Sequence, residues 1–464
     1  MIYFFYQNQE WGLLFMGHKQ ILFCGNHPHY LKKELIKDSN EANGGIAFRI
    51  PSIINAGDGV LVAAIDRAST GADWGYIEIA IRRSENGGKT WSNVEAIAIP
   101  PARETKISDD CYSSGFFIDP CMAIAPNGDI VMIIDFWPEC KGLHNRSILD
   151  KKKAPYGELD GKNCLLIYDR NGSRFFVHDD GKVFDSKKNP TDYRVEGLGS
   201  LYEKDEYLGN IYLNGPVGVN EANAKTTFGA PLKAPKRCYV FMLRSSDKGK
   251  TWTEPKDITN MFLGKSDGTF LGVAPGVGLT TKKGRIIMPL YVDRKETVAV
   301  YSDDNGETWK RSDTQPYSKN TDEWQLIEVS DGRILGFGRQ KKYGKTPVSI
   351  SYNNGENWIK GKKTGVLAPK CQKSVITFGE YVLCSHAGLG SKKRENGALS
   401  VGKLADTKKG YTAVEWINHK KINNGFFAYS CLVPIDEETV GILYEAEPSS
   451  YLIFETYKID ELVK

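Results

Sequence analysis

Ser302-Asp303-Asp304-Asn305-Gly306-Glu307-Thr308-Trp309 is one copy of a pattern, Ser-x-Asp/Asn-x-Gly-x-x-Trp, that recurs at Ser84 to Trp91, Ser245 to Trp252 and Ser351 to Trp358. Each copy follows a short alternating stretch such as Tyr76 to Arg83 or Cys238 to Arg244, which predicts a strand running into a hairpin. The Asp or Asn at the third position supplies a side-chain acceptor for the turn, and the glycine at the fifth tolerates positive φ. The tryptophan is expected to anchor the hairpin by burying its indole beneath it. The copies start 161, 57 and 49 residues apart. The last two intervals measure a strand-turn unit that cannot bury a face alone, and radial stacking of such units predicts an all-β propeller. At about fifty residues per unit, less an insertion, 464 residues allow six blades. The first interval is too long for one blade and calls for an insertion, a blade lacking the motif, or both.

The rest of the chain narrows the class. Hydrophobic residues at 41% and charged residues at 25% permit a large core. With 61 Lys and Arg against 57 acids the net charge is +4, which carries no nucleic-acid-scale field. No continuous apolar stretch approaches the eighteen or so residues of a membrane span. Met1 to Leu14 is apolar and aromatic but is interrupted by Gln7 to Glu10 with no basic residue ahead of it, so no export leader is expected, and Met16 is a candidate start. Nine Cys without a C-x-x-C pair read as reduced core residues, and seven His without ligand spacing give no metal site. No cofactor is expected. The expected division is an N-terminal extension over 1–44 and a propeller over 45–464. Within the propeller the Lys-, Asp- and Gly-rich stretch of roughly 139–237 is read as an insertion or a diverged blade.

Phe48-Arg49-Ile50-Pro51 follows the Gly44-Gly45 break and precedes a strand. Together with the four octets it resembles the Phe-Arg-Ile-Pro motif of bacterial exo-α-sialidases, the neuraminidases with six-bladed propellers. The resemblance continues through Ile65-Asp66-Arg67 and Ala72-Asp73-Trp74-Gly75, through Arg339 with Glu323 sixteen positions before it, and through Lys393-Arg394-Glu395-Asn396-Gly397. It ends at Phe427-Ala428-Tyr429-Ser430 and Gly441-Ile442-Leu443-Tyr444-Glu445. It implies that Arg49, Arg339 and Arg394 bind substrate, that Asp73 is acid and base, that Tyr429 is the nucleophile and Glu323 its partner, with Asp322 as the alternative acid. Glu445 would brace Arg49. Arg67 would reach the O4 side of the sugar, Asp119 the N-acetyl side and Tyr291 the glycerol or aglycone side.

Physical chemistry says why such a set suits one substrate class. A sialic acid carries a carboxylate on its anomeric carbon, and three guanidiniums give it charge-assisted, partly bidentate hydrogen bonds. A carboxylate nucleophile would be repelled by that group, at about 1 kcal/mol in water at 4 Å and several times more in a dry pocket. A neutral phenol avoids the repulsion, and sialidases with a Tyr nucleophile are a known exception to the two-carboxylate rule. Because a phenol titrates near pH 10, it needs a carboxylate to take its proton. Asp73 must hold a proton to act as the acid, so its pKa is expected to be raised. The expected activity is therefore retaining hydrolysis of terminal α-linked sialic acid from glycans by a monomer, with no nucleic-acid or membrane partner. The alternatives are an intramolecular trans-sialidase releasing a 2,7-anhydro sugar, a trans-sialidase holding an acceptor sugar between aromatics, with Trp74, Trp137 and Trp324 as candidate walls, and a catalytically dead sialic-acid lectin.

Overall fold

In every copy of the octet the serine hydroxyl accepts the N–H of the fifth-position glycine at 2.8 or 2.9 Å, and the third-position Asp or Asn oxygen accepts the seventh-position N–H at 2.9 Å. The glycines Gly88, Gly249, Gly306 and Gly355 all sit at φ between +81° and +89°. Each also touches a different sheet: a Cβ there would lie 2.5 Å from Phe454, 2.8 Å from Val62, 3.3 Å from Val131 and 2.5 Å from Ile287, respectively. The octet is thus both a turn and a seam, because glycine lets its backbone rest directly on the preceding blade.

The chain is seen here as a computed structural model that describes residues 15–16, 19–25, 46–69, 71–102, 114–214, 230–292, 296–314, 316, 321–361, 363, 365–405 and 413–464. Six antiparallel blades surround one axis. Blade 1 is Ala47–Asn55, Leu61–Ala68, Ile77–Ser84 and Glu95–Ala98, and blade 2 is Phe116–Ile124, Ile130–Trp137, Tyr239–Ser245 and Lys256–Asp257. Blade 3 is Leu271–Val273, Ile286–Val292, Glu296–Ser302 and Lys310–Arg311; blade 4 is Thr321–Glu328, Ile334–Gln340, Val348–Ser351 and Ile359–Lys360. Blade 5 is Ser374–Phe378, Tyr381–His386, Glu395–Ala405 and Ala413–Phe426. The octets join the third and fourth strands of blades 1 to 4; the sequence carries no copy in blades 5 and 6.

Blade 6 contains Ser430–Pro434, Thr439–Glu445 and Tyr451–Lys458, and its outer edge is filled by Lys19–Cys24 from the opposite end of the chain. The paired sheet therefore begins ahead of the expected boundary at residue 45. Leu22 and Phe23 are buried there, so the strand covers apolar surface as well as unpaired backbone. Residues 1–14, the whole of the apolar aromatic stretch, lie outside the described residues. Short helical structure near the C-terminus runs over Ile459–Val463.

Between the second and third strands of blade 2 the chain builds a separate seven-stranded antiparallel meander, from Tyr156–Leu159 through Glu206–Asn210. The 161-residue interval between octets spans this sheet. Apolar layers between blades hold the ring together: Cys121, Ile133 and Val240 against Leu271 and Met288, or Ile53 and Ala63 against Val433, Leu443 and Phe454.

The axial strands are not regular. Register slips between Arg49 and Ser52, between Ile118 and Cys121, and between Thr321 and Trp324. Ile50 and Asp119 adopt left-handed φ of 62° and 65° at two of these bulges. A regular strand sends neighbouring side chains to opposite faces, whereas a bulge lets two successive residues share one. Arg49 with Ile50, Ile118 with Asp119, and Asp322 with Glu323 all line the same axial cavity.

Candidate active site

That cavity, of about 160 Å³, is where the charged side chains converge. The Tyr429 ring sits at its floor, only 6% exposed, with the guanidinium carbons of Arg49, Arg339 and Arg394 at 6.0, 5.8 and 5.7 Å from its centroid. The three arginines come from blades 1, 4 and 5, and the tyrosine from the entry to blade 6.

Each charge is held by a distinct partner. Arg339 Nη1 lies 2.5 Å from Glu323 Oε2 and donates to the Tyr429 hydroxyl at 2.7 Å, while its Nε faces Asp322 at 3.5 Å. The Tyr429 hydroxyl in turn donates to Glu323 Oε1. Between the two acids weighed from sequence, Glu323 therefore has the contact with the phenol and Asp322 has the contact with the arginine. Burial pushes the phenol well above its ordinary pKa, with Glu323 reinforcing the rise and Arg339 and Arg394 opposing it, so the oxygen rests neutral. Arg394 donates to the Lys370 carbonyl from Nε and Nη2 at 3.3 Å.

Arg49 pairs with Asp73 through Nη1 and faces Glu445 from Nε at 3.8 Å. Glu445, 1% exposed, also accepts the Ile50 N–H at 2.9 Å. A β-branched residue at positive φ costs on the order of 1–3 kcal/mol, and this hydrogen bond helps hold the bulge that turns Arg49 to the axis.

Asp73 departs from expectation. Burial works to raise its pKa, but a hydrogen bond from His144 and the Arg49 guanidinium outweigh it and hold the carboxyl below the usual carboxylate range. The expected rise is not present, because His144 and the arginine assigned to substrate are both engaged with the acid.

Asp119 and Tyr291 line the cavity, and Tyr291 packs edge-on against Phe270 at 5.0 Å. The Asp119 backbone N–H donates to Asp66 Oδ1 at 3.2 Å, and burial followed by the negative neighbours Asp135 and Asp66 pushes the Asp119 carboxyl well up. Arg67 is not among the residues lining the cavity; its Nε faces Glu78 at 3.3 Å, and Tyr76 donates to the other oxygen of that glutamate. Of the candidate walls, Trp137 lines the cavity, stacked on Phe270 at 5.9 Å and Phe116 at 6.2 Å. Trp324 does not: it is fully buried, donates to the Leu290 carbonyl and meets Trp358 edge-on. Trp74 packs beside His144.

Sequence reasoning missed Asp135, Phe270 and His144, all on the cavity wall. His144 lies in the stretch after blade 2's second strand that has no motif, so only the folded chain brings it to Asp73. A second cavity of about 180 Å³, between the meander and blade 2, is lined by Lys153, Lys233 and Lys236 with Asp150. The guanidiniums do not reach it.

Comparison with known proteins agrees with this picture. Residues 213–442 match the BNR repeat-like domain. The chain is 26% identical to an anhydrosialidase of Macrobdella decora, with 89% of this chain and 61% of that protein aligned, and 27% identical to sialidase B of Streptococcus pneumoniae, with 89% and 63% aligned. The chain thus spans a little over three-fifths of the length of these relatives. The fold superposes on the intramolecular trans-sialidase of Ruminococcus gnavus with a TM-score of 0.74 at 24% identity, covering 90% of this chain and 95% of that one. Six blades, octets at their outer turns and these relatives together make the chain similar to sialidases in fold and repeat pattern.

Proposed function

We propose that the protein cleaves terminal α-linked sialic acid from glycans by a retaining mechanism through a glycosyl-tyrosine. The observation that carries this reading is the Tyr429 hydroxyl, hydrogen-bonded to Glu323 and ringed by three guanidiniums. The clamp would take the substrate carboxylate and present the anomeric carbon to the phenol. Glu323 would accept the phenolic proton as the carbon–oxygen bond forms, with Arg339 steadying both oxygens. Asp73 would protonate the leaving glycosidic oxygen and later take a proton from the incoming hydroxyl. When the substrate carboxylate occupies Arg49, Asp73 loses one of the two partners that keep it ionised; binding would thereby shift it toward the acid form.

Water completes the reaction in the hydrolytic reading. A second reading, in which the sugar's own hydroxyl does so and yields a 2,7-anhydro product, is favoured by the aromatic wall of Trp137, Phe270 and Tyr291 and by the kinship with an anhydrosialidase. Mass analysis of the sugar released from a sialylated lactose separates them, since the anhydro product is one water lighter. Failure to release any sialic acid derivative would refute both.

A further inference from the structure

His144 has no counterpart among the motif residues, yet the fold delivers it to the acid. The chain leaving blade 2 at Trp137 makes a one-turn 3-10 segment, Gly142–His144, whose position is fixed on several sides. Glu139 is fully buried and pinned by the N–H groups of Asn214 and, through its own N–H, the Tyr212 carbonyl. Gly142, at φ 51°, rests against Phe116 and Trp137, where an added Cβ would lie 3.3 Å from both rings. The His144 N–H closes the turn on the Lys141 carbonyl at 2.9 Å.

From this turn His144 Nε2 reaches Asp73 Oδ2 at 3.5 Å, and its ring lies 4.5 Å from that of Trp74, the residue after the acid. Asp73 therefore has one oxygen on Arg49 and the other on His144. Both side chains keep solvent access, at 41% for His144 and 44% for Asp73. A sugar carboxylate can displace the first partner but offers nothing to replace the second.

We infer that His144 positions Asp73 and supplies its proton once substrate has taken Arg49 away, an assignment that rests on the sialidase reading above. Imidazolium passes the Nε2 proton to Asp73 Oδ2 and becomes neutral. Asp73 gives that proton to the glycosidic oxygen as the bond to the anomeric carbon breaks and its electron pair leaves with the aglycone. In the second half the Asp73 carboxylate takes the proton of the attacking hydroxyl and returns it to His144. The imidazole also packs at a tilt against Trp74, the residue after the acid, which fixes the ring beside the carboxylate.

A test follows from leaving-group chemistry, because a nitrophenolate leaves without protonation whereas a sugar alkoxide does not. His144→Gln in the full chain is compared with the unaltered protein on 4-nitrophenyl sialoside and on a sialylated lactose, with kcat/KM as the readout since it reports the first displacement. General acid catalysis is worth about 10²- to 10⁴-fold. The expected result is a loss of about 10-fold or more on the lactose substrate with less than about 3-fold on the nitrophenyl one, and recovery of the lactose activity of His144→Ala by added imidazole. Equal losses on both substrates, or none on either, overturn the role of His144 while leaving the sialidase reading intact. Inactivity of the unaltered protein on both substrates overturns the two together.

Discussion

Replacing Tyr429 by Phe removes one oxygen and little else. The ring keeps its place among the guanidiniums, and Glu323 and Arg339 remain paired with each other at 2.5 Å, so neither is left as an isolated buried charge. One hydrogen bond given and one received disappear. Stability should therefore fall by no more than about 3 kcal/mol. The loss in catalysis is of another size. A positioned intramolecular nucleophile acts at an effective concentration of about 10⁵–10⁸ M, against about 55 M for solvent water, so its removal should lower kcat by about 10³- to 10⁶-fold, or about 4–8 kcal/mol in the barrier. Because the clamp is untouched, binding of a non-hydrolysable sialic acid analogue should change by less than about 3-fold. Calorimetric titration with that analogue, beside turnover of an aryl sialoside, reads both quantities. Retention of a tenth or more of the activity, or loss of binding in parallel with activity, would show that the phenol does not attack the sugar.

Three further outcomes are expected. Ser302→Ala leaves the buried Gly306 N–H of the octet without its acceptor at 2.8 Å, so denaturant unfolding should show a loss of about 1–3 kcal/mol with activity unchanged in the folded fraction. Gly397→Ala would put a Cβ 2.0 Å from the Phe427 ring, which is stacked on Tyr444 at 4.8 Å. A cost of about 1–3 kcal/mol is expected, with a raised KM because Arg394 and Tyr429 flank the two displaced positions. His386, fully buried between the Ala387 carbonyl and Ser400, has its pKa lowered from 6.5 to about 4 by burial, with the neighbouring Lys373 and His419 adding to the effect. The unfolded chain then binds a proton that the folded chain refuses. Stability is complete above pH 6.5 and falls by up to about 3 kcal/mol as the pH drops from 6.5 to 4, and His386→Gln should flatten that slope in pH-dependent unfolding.

The octets made the propeller legible because their information is local. A serine, an Asx residue and a positive-φ glycine close one turn through contacts within eight residues, so the same residues at the same spacing report the same hairpin wherever they occur. Local motifs likewise singled out Arg49, Asp73, Arg339, Arg394, Tyr429 and Glu445, which the ring then gathers around one cavity, apart from Glu445, which stands behind Arg49.

Features that depend on partners far along the chain were hidden. The bulges at Arg49, Ile118 and Thr321 reverse the alternation that a strand pattern assumes, and they decide that both Asp322 and Glu323 face the cavity. Trp324 looks like its neighbours in sequence but turns into the core, and Lys19–Cys24 joins a blade whose other strands lie more than four hundred residues away. The state of Asp73 is the plainest case. The residue itself marks a carboxyl, but whether that carboxyl holds a proton depends on Arg49 from the first strand of its blade and His144 from the stretch after the second strand of the next, and Coulomb forces act through space, not along the chain.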